Sequence, residues 1–435
     1  MPADMFSWLP ASIPSKFRWL DRAARTPAGR ALGLTAVLWL LALFYCKHKF
    51  WRDPHSAFFD SSTVYDQGYS LVRSEEGLQF LSAASSRADE SSLDPVICAG
   101  IVTVRRDPVQ YLNKTIGSML AGLTVEERSA LHIRLLFAES EPQMHPDYHQ
   151  RWLGQLESAE TYVITGESLE HLRELEKARN FFEKGVFDYI YMLNQCVEHT
   201  SAPFVAIFED DIIFADGWLS KTVKGLTELQ KSTTWLYLRL FYTETSLRWR
   251  NEQDFWFRYL WLTVVLAALM FAALASILRR TYKPLRSILT NHTIVTMAVV
   301  AMPAFTILYF MIGKYNVLPL SGVERMDRYG CCTQALVFPR SQVPDLVAYL
   351  VRRKSGQTDT IIEEYADEFG LERYALAPQV VQHVGLVSSR DNLEINTKST
   401  WAFWFEASDA AQLQIEHQEL AKWAIWRARS HDHDS

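Results

Sequence analysis

The chain lacks several features that would assign it to a common class. Its net charge is only −6 over 435 residues, so no overall positive field would attract nucleic acid. Its five cysteines and 12 histidines do not fall at the spacing of zinc ligands. No small-x-small cleavage site follows its first apolar run, which disfavours a cleaved signal peptide. The sequence therefore does not predict a nucleic-acid-binding protein, a zinc protein or a secreted protein.

The chain does contain long apolar runs, and the first is residues 31–46. This run has 16 residues without a charge and spans roughly 24 Å as a helix, which is enough to anchor the chain if flanking cations snorkel. Residues 1–30 carry five cations against two acids. This excess predicts a cytosolic N-terminus and a lumenal chain after the span. Residues 47–94 have little periodicity and many serines, as expected of a lumenal stem.

Two further apolar runs lie deep in the chain, at 260–278 and 293–312, with 19 and 20 residues and no charge. The loop between them, 279–292, carries four cations and no acid, which is typical of a cytosolic loop. Residues 255–313 are therefore predicted to form a transmembrane hairpin, giving three spans in total. A pair of buried core helices is the alternative.

The remaining segments alternate between strand and helix patterns. Residues 95–254 and 314–410 are predicted to form one α/β, doubly wound domain that the hairpin interrupts, followed by a C-terminal segment, 411–435. Strands are predicted at 96–104, 132–138, 161–164, 204–208, 235–241, 332–338 and 378–387. Helices are predicted at 111–123, 169–198 and 360–368.

Three acids, Glu209, Asp210 and Asp211, follow the apolar strand 204–208 directly. In open α/β sheets, ligands bind beyond the carboxyl ends of the strands. Acids at this place can hold a hard divalent cation and the diphosphate that it bridges. A solvated acidic turn is the alternative for this segment taken alone.

Other candidate residues lie near predicted strand and helix ends. Arg105 and Arg106 follow the first strand, where they can contact a diphosphate or a uracil, although solvated surface arginines are equally common. His383 follows another extended run and either completes a metal shell, binds phosphate or is structural. A general base is expected among the carboxylates of a predicted helix start, while the others are ordinary surface acids. These carboxylates are Asp359, Glu363 and Glu364.

The predicted lumenal side also has modification sites. Four of its cysteines allow three pairings: Cys98, Cys196, Cys331 and Cys332. The last two are adjacent and poorly placed to bridge each other, so each is expected to seek a distant partner or to remain free and buried. The sequon at Asn113 is predicted to be glycosylated, whereas the one at Asn291 is on the cytosolic side and should stay bare.

Several motifs together resemble nucleotide-sugar glycosyltransferases of the GT-A (Rossmann-like) fold. They are Thr103-Val104-Arg105-Arg106, Phe208-Glu209-Asp210-Asp211, the Asp359 segment and Gln382-His383-Val384-Gly385-Leu386-Val387-Ser388-Ser389. N-acetylglucosaminyltransferase IV has a similar Glu-Asp-Asp motif and Gln-His-x-Gly tract. The hairpin, followed by Tyr329-Gly330-Cys331-Cys332-Thr333, is similar to the post-GPI-attachment GalNAc transferase family of the Golgi. The resemblance covers roughly residues 95 to 405.

This resemblance implies a Golgi membrane enzyme that transfers GalNAc or a related hexose. The donor would be a UDP-sugar, and the acceptor would be the mannose core of the GPI anchor on GPI-anchored proteins. The enzyme would also contact membrane lipids, and it would not bind nucleic acid. A divalent cation such as Mn²⁺ is expected on Asp211 and His383. The donor is expected on Thr103, Arg105, Arg106, Glu209 and Asp210. An inverting displacement would use Asp359, Glu363 or Glu364 as the base.

Two alternatives remain open from the sequence. One is an N-glycan-branching N-acetylglucosaminyltransferase, and the other is a non-catalytic lumenal receptor or scaffold that retains the fold. The hairpin suggests a role beyond anchoring, since a span within the domain would keep the site close to a lipid-linked acceptor and raise its effective concentration.

Overall fold

The computed structural model describes residues 25–83, 94–232, 234–245, 251–326, 332–385 and 400–431. They form two compact units. The helical unit consists of Met1–Asp60 and Asn251–Pro319, and the sheet unit of Ser61–Arg250 and Leu320–Ser435. Some sequence predictions lie outside the described residues, namely those for 1–24, 84–93, Cys331, 386–389 and 432–435.

The described part of the chain contains strands and helices in alternation. The strands are β1 (Ile97–Thr103), β2 (Leu131–Phe137), β3 (Ser158–Glu160), β4 (Phe204–Glu209), β5 (Ile212–Phe214), β6 (Trp235–Arg239), β7 (Gly322–Arg325), β8 (Ala335–Pro339), β9 (Glu372–Ala377) and β10 (Val381–His383). The α-helices are α1 (Pro27–Lys49), α2 (Tyr69–Ala83), α3 (Leu112–Leu120), α4 (Val125–Ser129), α5 (Glu167–Ala178), α6 (Phe181–His199), α7 (Trp218–Leu229), α8 (Asn251–Arg258), α9 (Leu260–Thr281), α10 (Asn291–Met311), α11 (Lys314–Val317), α12 (Val343–Arg353), α13 (Thr358–Glu368) and α14 (Ala410–His431).

Three helices among the described residues are long and apolar enough to span a membrane: α1, α9 and α10. Helix α1 has 23 residues, or about 34 Å, and so exceeds the predicted 16-residue run. The extension arises because the Thr26 hydroxyl caps the helix by accepting from the Gly29 amide at 3.0 Å, while Lys47, His48 and Lys49 form the last turn. Helix α10 contains a π-helical stretch at Met297–Ala301. These three helices fit a membrane protein.

The buried carboxylate of Asp53 ties the chain after α1 to the chain after α10. It accepts from the backbone amides of Tyr315 at 2.8 Å and Asn316 at 3.2 Å. Gly313 is required beside it because a Cβ there would lie 2.5 Å from the Asp53 carboxyl carbon, and because its φ is +102°. The segment that follows α1 and the segment that follows α10 are therefore fixed to each other.

The sheet unit contains an eight-stranded mixed sheet in the order β3-β2-β1-β4-β8-β6-β9-β7. Strands β1, β2, β3 and β4 are parallel, but β8 is antiparallel to both β4 and β6. The α/β class is thus confirmed, whereas a uniformly parallel sheet is not found. The reversal arises because the chain re-enters beside the end of β4, where the Glu209 amide donates to the Gln334 carbonyl at 3.0 Å, and then runs back along β4.

The predicted stem contains helix α2, which packs against α3. The helices touch at Gly77 and Gly117. A Cβ on Gly77 would lie 2.5 Å from the backbone nitrogen of Ser118, the residue that follows Gly117 in α3. Arg73 is only 3% exposed and donates to backbone carbonyls of Phe214, Ser118 and Ala121. A stem over all of 47–94 is therefore wrong, since part of it belongs to the folded sheet unit. The pattern misleads because glycine, serine and arginine form the buried face instead of apolar residues.

Other predicted elements are confirmed or shifted. The helix predicted at 169–198 is two helices, α5 and α6, because Arg179 adopts a left-handed conformation with φ 55° and the Asn180 side chain caps α6. The strand predicted at 161–164 lies earlier, as β3, where it pairs with β2. The sequence did not predict β5, α7, α12 or β9. The predicted helix 360–368 is confirmed as α13.

One of the pairings that the sequence leaves open is present. Cys98 of β1 is bonded to Cys196 of α6, which staples the sheet to a covering helix. Cys332 also takes part in a disulfide, while Cys46 is free and buried. The expectation that Cys332 bonds to a distant cysteine is not met at Cys98 or Cys196, since these two are bonded to each other. Cys331 falls outside the described part of the chain.

Candidate active site

The acidic turn at the end of β4 is braced by a buried threonine. Thr115 in α3 is fully buried, and its hydroxyl donates to the Asp210 carbonyl at 2.7 Å and accepts from the Ile212 amide at 3.2 Å. The turn between β4 and β5 is therefore rigid. Thr115 also belongs to the predicted sequon at Asn113, whose side-chain oxygen is buried in the folded chain.

Asp210 and Asp211 are buried, with 3% and 5% of their surface exposed. The Thr103 hydroxyl donates to Asp210 Oδ2 at 2.6 Å. Arg106 bridges the two acids, donating from Nη1 to Asp211 Oδ2 at 2.7 Å and from Nη2 to Asp210 Oδ1. Burial raises the pKa of Asp210 despite this arginine. For Asp211, burial would also raise the pKa, but His383 and Arg106 hold it well below its usual value.

His383 approaches the acids because β10 pairs antiparallel with β5, placing His383 opposite Ile212. Its Nε2 lies 3.3 Å from Asp211 Oδ2. The buried Gln382 fixes this strand, since its side-chain oxygen accepts from the Ala402 amide at 3.0 Å and its nitrogen donates to Glu406 at 2.8 Å. Gln382 therefore fixes the position of the strand, and His383 contacts the acidic turn.

Glu209, Asp211 and His383 form a group of potential metal ligands whose donor atoms lie within 4.8 Å of one another, as found among the described residues. Asp211 Oδ1 is buried without a hydrogen-bond partner in this part of the chain. Gly385 leaves room for the Asp211–His383 contact, because a Cβ there would lie 2.0 Å from Asp211 Oδ2 and 2.9 Å from His383 Nε2. Two carboxylates and one imidazole suit Mn²⁺ or a similar divalent cation. The residues present therefore fit such an ion.

Glu209 is oriented from the chain that follows the hairpin. The Thr333 hydroxyl donates to Glu209 Oε1 at 2.8 Å. Thr333 lies just before β8, whose position next to β4 brings it to the acidic turn. From the sequence, Thr333 belongs to the family motif but has no predicted role.

A cleft of about 970 Å³ surrounds these residues in the sheet unit. This volume lies at the upper end of the range for small-molecule sites. The cleft brings together most of the predicted site residues, namely Arg105, Arg106, Glu209, Asp210, Asp211, Asp359 and His383. Thr103 stands behind them through its contact with Asp210.

The three candidate bases have different surroundings. Asp359 is partly exposed and borders the cleft. Glu363 instead accepts from the Tyr237 hydroxyl at 2.5 Å and pairs with two buried arginines. Glu364 pairs with Arg353 on the surface at 2.5 Å. Neither glutamate lines the cleft, so of the three only Asp359 is placed beside the acids.

A charged pair in the cleft wall was not predicted from the sequence. Lys184 and Asp188 on α6 are buried, 2.9 Å apart, and Lys184 also donates to the Ala138 carbonyl at 2.6 Å. The signal was present, because both fall in line with Met192 and Cys196 at four-residue spacing on the buried face of α6. Charged residues on such a stripe indicate a buried pair, which the prediction of a single helix at 169–198 did not include.

Comparison with protein families places these residues in context. A family model described as GPI-N-acetylgalactosamine transferase PGAP4 matches residues 97–382. The chain belongs to this family. The match confirms the family resemblance and makes the chain a glycosyltransferase and therefore an enzyme. The comparison with curated proteins found no match.

The PGAP4 match runs through both parts of the sheet unit and across α9 and α10. It includes the acidic turn, Arg106 and Asp359, and it ends one residue before His383. The hairpin thus lies inside the family's matched range instead of beside it.

Proposed function

We propose that the chain transfers N-acetylgalactosamine from a UDP-linked donor to the mannose core of GPI anchors on GPI-anchored proteins. The proposal rests mainly on one observation: Glu209, Asp211 and His383 converge in a cleft, and one buried Asp211 oxygen has no partner among the described residues. The family assignment supports the sugar and the class of acceptor.

The chain's own residues would divide the work of donor binding. Glu209, Asp211 and His383 would hold Mn²⁺, and the bound ion would neutralise charge that develops on the leaving diphosphate. Asp210 is our proposed contact for the ribose. Arg105 is exposed at the cleft and would pair with phosphate oxygens.

Asp359 is our proposed general base. It would take the proton of the acceptor hydroxyl while that oxygen attacks the anomeric carbon of the sugar. The bond between the anomeric carbon and the diphosphate oxygen would break in the same step, with its electron pair leaving on UDP. A single displacement of this kind inverts the anomeric centre and needs no covalent enzyme intermediate.

The direct test is a panel of UDP-sugars with Mn²⁺ and a GPI-anchored acceptor, in the purified full-length protein. Asp211→Asn should lower transfer by at least about 100-fold, and Asp359→Asn should lower it by a similar factor. Glu364→Gln, which alters a surface pair, is the matched control and should keep most of the activity. Full activity of Asp211→Asn would refute the assigned site, and transfer to a soluble, lipid-free glycoprotein would instead favour N-glycan branching.

We also propose that the enzyme lies in the Golgi membrane, with its N-terminus in the cytosol and the sheet unit in the lumen. The basic N-terminal residues and the basic loop 279–292 support this orientation. In that arrangement the hairpin would keep the enzyme near a lipid-linked acceptor and raise the acceptor's effective concentration.

Replacing the hairpin with a soluble linker tests this role. Transfer to a GPI-anchored acceptor should be lost, while slow hydrolysis of the donor should persist. An equal loss of both activities would show that the hairpin serves folding instead of acceptor capture.

A further inference from the structure

Arg106 forms ion pairs with both buried acids, Asp210 and Asp211. Its guanidinium reaches both carboxylates, and its side chain is itself only 8% exposed. Asp210 Oδ2 is taken by Thr103, and Asp211 Oδ2 is shared between Arg106 and His383. Of the four carboxylate oxygens, only Asp211 Oδ1 has no partner among the described residues. The structure therefore shows the acids already paired with a cation that belongs to the chain.

A divalent cation on Glu209, Asp211 and His383 would share Asp211 with this guanidinium. The donor atoms of the three residues lie within 4.8 Å of one another, and Arg106 Nη1 is 2.7 Å from one of Asp211's oxygens. Inside a buried site, the two positive charges of a divalent cation at this range repel the positive charge of the guanidinium strongly. The acids therefore cannot serve both cations fully at once.

We propose that Arg106 is a tethered counter-cation that holds the acids in the donor-free enzyme and moves from Asp211 to the diphosphate when the metal and the donor bind. This inference rests on the proposed metal-dependent function and assigns Arg106 a positioning role within it. A guanidinium is suited to the exchange because its planar fork pairs with phosphate as well as with carboxylate. The residue lies outside regular structure, between β1 and α3, and its guanidinium carbon is 5.5 Å from the Tyr111 ring centroid.

Because of this exchange, binding of the metal and binding of the nucleotide strengthen each other. Mn²⁺ alone must displace Arg106 without offering it another partner, so binding is weak. Mn²⁺ with UDP supplies phosphate oxygens that receive the displaced guanidinium, so binding is tight. Arg106 would thus prevent the site from filling with a cation when no donor is present.

The test measures Mn²⁺ binding to the full-length protein by electron paramagnetic resonance, with and without UDP, and needs no turnover. In the wild type, UDP should tighten Mn²⁺ binding by about tenfold or more. Arg106→Gln should bind Mn²⁺ alone about tenfold more tightly than the wild type does, and UDP should then tighten Mn²⁺ binding by a smaller factor than in the wild type. Arg173→Gln is the control, since it removes one exposed positive charge of α5 that does not line the cleft, and it should keep the wild-type coupling.

Arg106→Lys is the second variant, in case Arg106→Gln fails to fold with its acids uncompensated. A lysine retains the charge but cannot bridge two carboxylates as a planar fork, so the coupling should fall between those of the wild type and Arg106→Gln. The inference is overturned if the wild type binds Mn²⁺ equally well with and without UDP, or if neither Arg106 variant changes the coupling. If no form binds Mn²⁺ even with UDP, the metal site of the proposed function is refuted as well.

Discussion

Helix α14 is held to the sheet unit by a histidine between two acids, which makes its docking sensitive to pH. His417 Nδ1 lies 2.7 Å from Asp216 Oδ1, and Nε2 lies 2.7 Å from Glu127 Oε2. Glu127 is fully buried and also accepts from the Ser220 hydroxyl at 2.6 Å. Two carboxylates that face both ring nitrogens favour the charged imidazolium.

The magnitude follows from the pKa of His417. Burial alone would lower this pKa, but the hydrogen bonds to Asp216 and Glu127 outweigh burial and raise the pKa from 6.5 to about 9. The difference corresponds to about 3 kcal/mol of docking free energy. Because the folded-state pKa is raised, this contribution is complete below about pH 6.5 and is lost as the pH rises through about 9.

Hydrogen exchange of the α14 amides tests this prediction when protection factors, corrected for intrinsic exchange, are compared between pH 6 and 9.5. The wild type should lose up to about a hundredfold of protection across this range, because 1.4 kcal/mol is a factor of ten. His417→Gln should start with lower protection and show little pH dependence. Glu416→Gln is the control, since it removes only a partly exposed pair with Lys221, worth about 0.5 kcal/mol. A wild-type profile that is flat, or that matches His417→Gln, would refute the reasoning.

Three other outcomes are expected. Cys98→Ser should destabilise the sheet unit by about 4 kcal/mol in urea titrations, because its bond to Cys196 closes a loop with a separation of 98 residues; a change below about 1 kcal/mol would contradict this. Asn113→Gln should lower the apparent mass on electrophoresis by about one glycan, since the sequon is predicted to be lumenal and is modified on the chain before α3 folds; an unchanged mobility would refute it. Lys184→Met should cost about 3 kcal/mol by leaving the buried Asp188 unpaired, and Lys184→Met with Asp188→Asn should recover part of that loss.

The local sequence predicts elements well where one pattern dominates. Strands β1 and β4 and the three long apolar helices contain continuous apolar runs, and β2 is mostly apolar despite His132 and Arg134. Each is found close to the predicted position. Helix α2 was missed because its contact with α3 uses Gly77 and Gly117, so that close backbone approach replaces apolar periodicity. The direction of β8 was also missed, since it depends on where the chain returns after the hairpin and not on the residues of the strand.

The candidate site shows the same limit. The acids Glu209, Asp210 and Asp211 stand out because they end an apolar strand, and the resemblance supplied His383. Their mutual geometry comes from tertiary pairing, since only the register of β10 on β5 brings His383 to Asp211. The sequence also gave no reason to separate Asp359 from Glu363, whose tie to buried arginines requires β6 and β9 to lie side by side.

The position of β8 in the sheet also sets an order of events during synthesis. Strand β8 lies between β4 and β6, yet both of its neighbours are made before α9 and α10, and β8 is made after them. Until the ribosome has finished both spans, β4 has an open edge and β6 has no neighbour, which is a state prone to wrong pairing. Synthesis of α9 and α10 therefore delays completion of the sheet, and slow passage through these two helices would leave a half-built sheet exposed to wrong pairing.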